Sequence, residues 1–129
     1  MTTQEQVLEA AGHLVDAFGS HDVPSYFASF AADATFVFHS WPAPIESRAD
    51  YEAIWHAWEG DGFRVEGCVS SDQRVQLLTE EVAVFTHSVR TSLAGEAEPQ
   101  RERETIIFRR DTTGRWLGVH EHLSPAPGS

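Results

Sequence analysis

From Phe63 onward the chain alternates apolar and polar residues with a period of two, in four segments near 63–77, 82–94, 100–111 and 115–124. The breaks between them, Thr79-Glu80-Glu81, Gly95-Glu96-Ala97-Glu98-Pro99 and Asp111-Thr112-Thr113-Gly114, are turn sequences, so this half predicts four long antiparallel strands joined by hairpins. The first half reads differently. Val7, Leu8, Ala11, Leu14, Val15 and Phe18 recur at spacings of three and four, which predicts an amphipathic helix over 4–19 ended by Gly19. Asp22 caps a short second helix, with Pro24 in its first turn and Tyr26, Phe27 and Phe30 as its buried side chains. Thr35-Phe36-Val37-Phe38-His39 reads as a strand stopped by Trp41-Pro42-Ala43-Pro44. Ser47-Arg48-Ala49-Asp50 caps a third helix that carries Tyr51, Ile54, Trp55 and Trp58 on one face.

Helix, helix, strand, helix and four strands make an α+β pattern: a cone-shaped, curved antiparallel sheet wrapped by three N-terminal helices. At 129 residues and 41% hydrophobic content the chain fits one domain, residues 1–124, followed by a tail at 125–129. A chain of this size buries about two-thirds of its unfolded surface and needs no disulfide or structural metal. The mouth of such a cone is a natural small-molecule site.

Charge and composition exclude several functions. There is no lysine, hence no Schiff-base nucleophile and no phosphate loop of the G-x-x-x-x-G-K-[ST] type. A net charge of -11 argues against nucleic acid and anionic membranes as partners. Sixteen of the 20 acids but only four of the nine arginines lie in residues 1–98, so the last hairpin is the arginine-bearing part. Cys68 is the single cysteine, which rules out an internal disulfide. The first residues lack the pattern of a secretory leader and no apolar run has membrane-span length, so a cytoplasmic location is expected.

Three polar residues interrupt apolar rows. His87 lies among Ala83, Phe85 and Val89; Glu104 precedes Ile106 and Phe108; Glu121 lies in the row Leu117, Val119, Leu123, opposite Trp116, Gly118, His120, His122 and Ser124. If the three rows share a cavity, an imidazole and two carboxyls meet in apolar surroundings. Desolvation would raise the carboxyl pKa values and lower the imidazole's, the tuning that general acid–base chemistry needs. The alternative is that these groups only satisfy one another in the core. His120-Glu121-His122 places two imidazoles on one face, but no third ligand has a completing spacing, so neither a metal nor another cofactor is expected. His13, His21 and His56 fall on polar faces or a turn and read as solvated, and His39 lies near the mouth. The aromatic set containing Phe36, Phe38, Tyr51 and Trp55 is either core or pocket lining, with Tyr51 and Trp55 favoured as liners.

One stretch carries more than pattern. Glu104-Thr105, Phe108-Arg109-Arg110-Asp111, Gly114-Arg115-Trp116, Val119-His120-Glu121-His122 and Ser124, with Asp22-Val23-Pro24-Ser25-Tyr26 upstream, resemble the association domain of calcium/calmodulin-dependent protein kinase II. That family belongs to the wider nuclear transport factor two-like and SnoaL-like superfamily. The resemblance implies the cone fold over nearly the whole chain and a stand-alone domain. It also implies a pocket lined by Phe36, Phe38, Tyr51, Trp55, Phe85, His87, Ile106 and Leu123. The pocket arginines of the kinase domain are replaced here by His87, Ile106 and Leu123. It further implies a homodimer through the outer face of the sheet, with Arg101, Arg103, Trp116, His120 and His122 at the interface. Superfamily members include isomerases, cyclases, dehydratases and plain association modules, so function has to come from the site. Two functions remain open: binding of a small, largely apolar ligand with acid–base chemistry by His87, Glu104 or Glu121, or a non-catalytic oligomerisation module.

Overall fold

The computed structural model describes residues 1–128. Its elements are α1 (Thr3–Gly19), α2 (Val23–Ala28), β1 (Phe30–Phe38), α3 (Arg48–Gly60), β2 (Val65–Leu77), β3 (Val82–Leu93), β4 (Gln100–Arg110) and β5 (Trp116–Pro125). The five strands form one sheet in the order β1-β5-β4-β3-β2. Neighbours from β2 to β5 pair antiparallel, as the alternating half of the sequence requires, while β1 runs parallel to β5. The helix α3 joins the two edge strands, β1 and β2, which run in opposite directions; the three hairpins that follow bring β5 back beside β1 with the same sense.

Sequence signals set the helix starts. Thr2 and Glu5 form a reciprocal capping box on α1, the Asp22 side chain accepts from the Ser25 N–H on α2, and Ser47 accepts from Asp50 N–H on α3. The second helix is shorter than its apolar pattern suggests. Ser29 Oγ bonds back to the Ser25 carbonyl at 3.0 Å, and the Ser29 carbonyl accepts the Gly118 N–H at 2.9 Å, which draws Phe30 out of the helix and into β1. Phe30 is still fully buried. At the other end, β5 runs on through Pro125 and Ala126 N–H bonds the Arg101 carbonyl, so the sheet continues into the segment expected as a tail; Ser129 lies outside the described residues.

The helices cover one face of the sheet and enclose a core built on Phe30, Phe36, Phe85, Ile106, Phe108 and Trp55. The other face carries no element. The register shifts at four places in the sheet, and two of these bulges bear on the site. On β5 the pairing steps from Ile107↔His120 to Phe108↔Gly118, which leaves Val119 as an extra residue. Before the bulge Trp116 and Gly118 point inward, and after it Glu121 does; Leu117, Val119 and His120 are only partly buried. Trp116 is therefore not on the outer face where strict alternation put it: it is 5% exposed and its indole N–H donates to Gln6 of α1 at 3.2 Å. On β2 the register breaks between Ser71 and Arg74, where Asp72 adopts a φ of 52°.

His21 also departs from expectation. Its side chain is 8% exposed; Nδ1 accepts the Val65 N–H at 3.0 Å and Nε2 lies 2.8 Å from Glu59. With Nδ1 accepting, Nε2–H is the donor to Glu59, and the ring ties the turn after α1 to both β2 and α3.

Candidate active site

A cavity of about 90 Å³ lies between the helices and the concave face of the sheet. Leu14, Val15 and Phe18 of α1, Tyr26 of α2, Phe38 of β1 and Tyr51, Trp55 and Trp58 of α3 form the helical side. The sheet contributes Cys68, Val89, Thr91, Leu123 and three carboxyls, Glu102, Glu104 and Glu121. Ser40, Trp58, Phe63, Leu93 and Gln100 line both the cavity and a shallow depression on the surface, which places the mouth between them. Among the described residues no arginine lines the cavity.

Phe38, Tyr51, Trp55, Leu123, Glu104 and Glu121 thus stand on the wall. Phe36, Phe85 and Ile106, offered by the resemblance as liners, are fully buried beneath it and belong to the core. His87 is not on the wall either. It faces the same side of the sheet but sits behind Glu104, with its ring 4.6 Å from that of Phe85 and its side chain wholly enclosed. Missing from the sequence-derived set is Glu102. Glu102 reads as the polar end of its row, yet it is 6% exposed and held by His39, whose Nε2 lies 2.5 Å from its carboxyl at the mouth. Tyr26, a member of the aromatic set that reads as either core or pocket lining, stands on the wall.

The polar groups form one continuous chain. Tyr26 donates to Glu121 Oε1 at 3.4 Å, so Tyr51, 2.9 Å away, is the donor to Tyr26. Glu121 and Glu104 face each other on the cavity wall, near enough for each to shift the other's ionisation. Glu104 Oε1 then meets His87 Nε2 at 2.7 Å, and His87 Nδ1 lies 2.6 Å from Ser70 Oγ, which also accepts from Gln73 Nε2 at 2.9 Å. Such a chain polarises along its length, and every buried member is satisfied.

Burial governs the protonation states. Desolvation pushes Glu104 up to about 8, opposed by the hydrogen bond from Glu121 and reinforced by the Glu102 charge. Glu121 is also raised well above the ordinary carboxyl value, by desolvation and then by the facing Glu104. Two carboxyls in contact cannot both ionise away from water, and the pair is protonated at neutral pH. Desolvation lowers His87 to about 4, so its ring is neutral. Both tyrosines are pushed up, first by burial and then by Glu121, and Cys68 is raised to about 11 by burial, which leaves it an unreactive thiol.

His120 and His122 lie outside this site. They share the outer side of β5 with ring centroids 6.3 Å apart, and His120 Nδ1 is engaged at 2.8 Å by Thr35 Oγ1 of β1. Among the described residues no group of three or more His, Cys, Asp or Glu side chains is placed to hold a metal ion, and no helix is long and apolar enough to cross a membrane.

Known structures share this architecture. An NTF2-like protein of unknown function from Pseudomonas putida KT2440 superposes with a TM-score of 0.80 at 20% identity, covering 96% of this chain and 88% of that one. A ketosteroid isomerase-like protein from Erwinia carotovora atroseptica SCRI1043 gives a TM-score of 0.82 at 17% identity over 96% and 97% of the two chains. A protein of unknown function with a cystatin-like fold from Nostoc punctiforme PCC 73102 gives 0.74 at 16% identity over 95% and 90%. At these identities the likeness is one of fold. No curated protein sequence matches the chain. The SnoaL-like domain family matches residues 7–128, and the chain belongs to that family.

Proposed function

We propose that this protein binds a small, neutral, largely apolar ligand in its cavity and moves a proton on it, with the Glu104–Glu121 pair as the acid–base group. The observation that carries this reading is a pair of carboxyls, Glu104 and Glu121, on the wall of an aromatic cavity that no arginine lines among the described residues, where burial raises the pKa of both. A core whose polar groups existed only to satisfy one another would not leave both carboxyls beside open space. The missing cation disfavours carboxylate and phosphate ligands, which would enter unpaired. A carbonyl or hydroxyl oxygen entering the cavity takes over a proton that Tyr26 or Glu121 otherwise gives within the chain, and Glu104, once ionised, is the base. That combination suits isomerisation, cyclisation or dehydration next to a carbonyl.

Volume narrows the ligand. A cavity of about 150 Å³ is known to take benzene, so about 90 Å³ suits a ligand of one ring or less. The isomerase-like neighbour's description names a steroid, whose four fused rings exceed this space. Trp55 and Trp58 stand on the wall, so their fluorescence reports occupancy. Titration with cyclohexenone, phenol and benzoate is expected to change the emission for the first two and not for benzoate. Val89→Trp, which fills the cavity, is expected to abolish the response. Binding that survives Val89→Trp, or no binding by any neutral ring, would sink the reading.

The uncovered sheet face supports a second element of the reading, a homodimer. Val37, Val84, Ile107, Leu117 and Val119 are partly exposed there, flanked by exposed Arg101, Arg103 and His122 and by half-buried His120. Such a patch gains by pairing with a second copy. Trp116, buried under α1, takes no part.

A further inference from the structure

His87 has both ring nitrogens engaged, each by a group able to give and to accept a proton: the Glu104 carboxyl at 2.7 Å and the Ser70 hydroxyl at 2.6 Å. A buried neutral imidazole needs one acceptor and one donor as partners; because both partners here can play either part, both tautomers of the ring are satisfied. Ser70 belongs to β2, an edge strand of the sheet, and is half-exposed, while Gln73 beside it is exposed. In a regular strand residues three apart point to opposite faces. Here the Asp72 bulge turns Gln73 back to the Ser70 side, where its amide donates to Ser70 Oγ at 2.9 Å. That bond fills an acceptor position on the hydroxyl and leaves its proton free to point at the ring or at solvent.

We propose that His87 and Ser70, held by Gln73, form a proton passage joining Glu104 on the cavity wall to solvent at the β2 edge. It is separate from the mouth, where Ser40, Trp58, Phe63, Leu93 and Gln100 stand. The transfer balances as one proton moved. The Glu104 hydroxyl gives its proton to Nε2, Nδ1–H gives its proton to Ser70 Oγ, and the original Ser70 proton leaves to bulk water. The ring ends as the other neutral tautomer, its Nε2–H donating to an ionised Glu104 and its Nδ1 accepting from Ser70. A ligand seated in the mouth leaves this route open, so the base can be reset while the cavity is occupied.

The surroundings of the ring favour a neutral imidazole that exchanges tautomers over a fixed imidazolium. The ionisable groups facing it and Glu104 are Glu102 on β4, Glu121 on β5, Cys68 on β2, Tyr26 on α2 and Tyr51 on α3, with His39 on the far side of Glu102. From α1 and β1 only apolar Leu14, Val15, Phe18 and Phe38 reach the cavity. The low pKa of His87 and the high one of Glu104 agree with this.

The use of the passage rests on the acid–base reading above, but its test contains no ligand, so the two fail separately. The full chain, labelled with ¹⁵N in histidine and ¹³C in the glutamate carboxyls, is titrated by NMR from pH 6 to 10. The expected result is that the His87 nitrogens exchange donor and acceptor character at the midpoint where Glu104 ionises, in fast exchange. Ser70→Val suits a strand position and is expected to slow that exchange by about tenfold or more. A His87 tautomer that stays fixed while Glu104 titrates overturns the proposal, as does an exchange rate that Ser70→Val leaves unchanged. The wild-type tautomer titration decides the matter even if the variant fails to fold.

Discussion

Glu121 and Glu104 keep their protons in the folded chain at a pH where the unfolded chain releases them. For each, the folded pKa lies above the ordinary value of 4.5. Their contribution to stability is therefore complete below about 4.5 and is lost as pH rises toward the folded value, about 8 for Glu104. Each contributes a slope of about 1.4 kcal/mol per pH unit. His87 acts in the opposite sense: lowered to about 4 from 6.5, it adds stability as pH rises between those values. It offsets one carboxyl up to about pH 6.5, and above that nothing does. Urea unfolding is expected to show stability falling between pH 6.5 and 8, and Glu121→Gln to flatten the fall; a level profile in the parent would contradict a protonated pair. His87, Glu104 and Glu121 were legible in the sequence because each interrupts an apolar row. Alternation reports the face and not the depth, so it could not place His87 behind Glu104 instead of beside the ligand. Glu102 escaped because its burial depends on His39, 63 positions away.

At the level of elements, the hairpins and helix starts were written in turn and cap residues, whereas the bulges and the parallel placement of β1 were not. Trp116 shows the cost: a single extra residue at Val119 sends everything before it to the opposite face. Gly118 was the available sign, since glycine inside a strand marks a bulge or a close approach. Here it marks both. A Cβ at Gly118 would lie 2.8 Å from Cδ1 of Phe30 and 3.4 Å from Cγ2 of Ile106, two side chains with no exposure and no room to yield. Gly118→Ala is expected to cost about 1–3 kcal/mol in denaturant unfolding by forcing β1 and β5 apart. A loss within a few tenths of a kcal/mol would mean that Phe30 can move after all.

Across the whole molecule, helices cover one side of the sheet and leave the other bare, and Arg101 and Arg103 of the last hairpin stand on the bare side, while Arg110 and Arg115 lie beside α1. This is the arrangement behind the proposed dimer. Sedimentation of Ile107→Glu and Arg103→Glu is expected to give monomers where the parent gives dimers. Dimers that persist in both variants would place the interface elsewhere. The sheet also has an open flank, because β2 has no neighbour beyond it and exposes Val69 and Leu77, with Leu78 just past its end. An edge strand of 13 residues with exposed apolar side chains is a template for another chain to add to. The left-handed backbone at Asp72 bends that strand midway and breaks its row of donors and acceptors. The same kink that brings Gln73 to Ser70 thus protects the protein from growing, edge to edge, into a fibre.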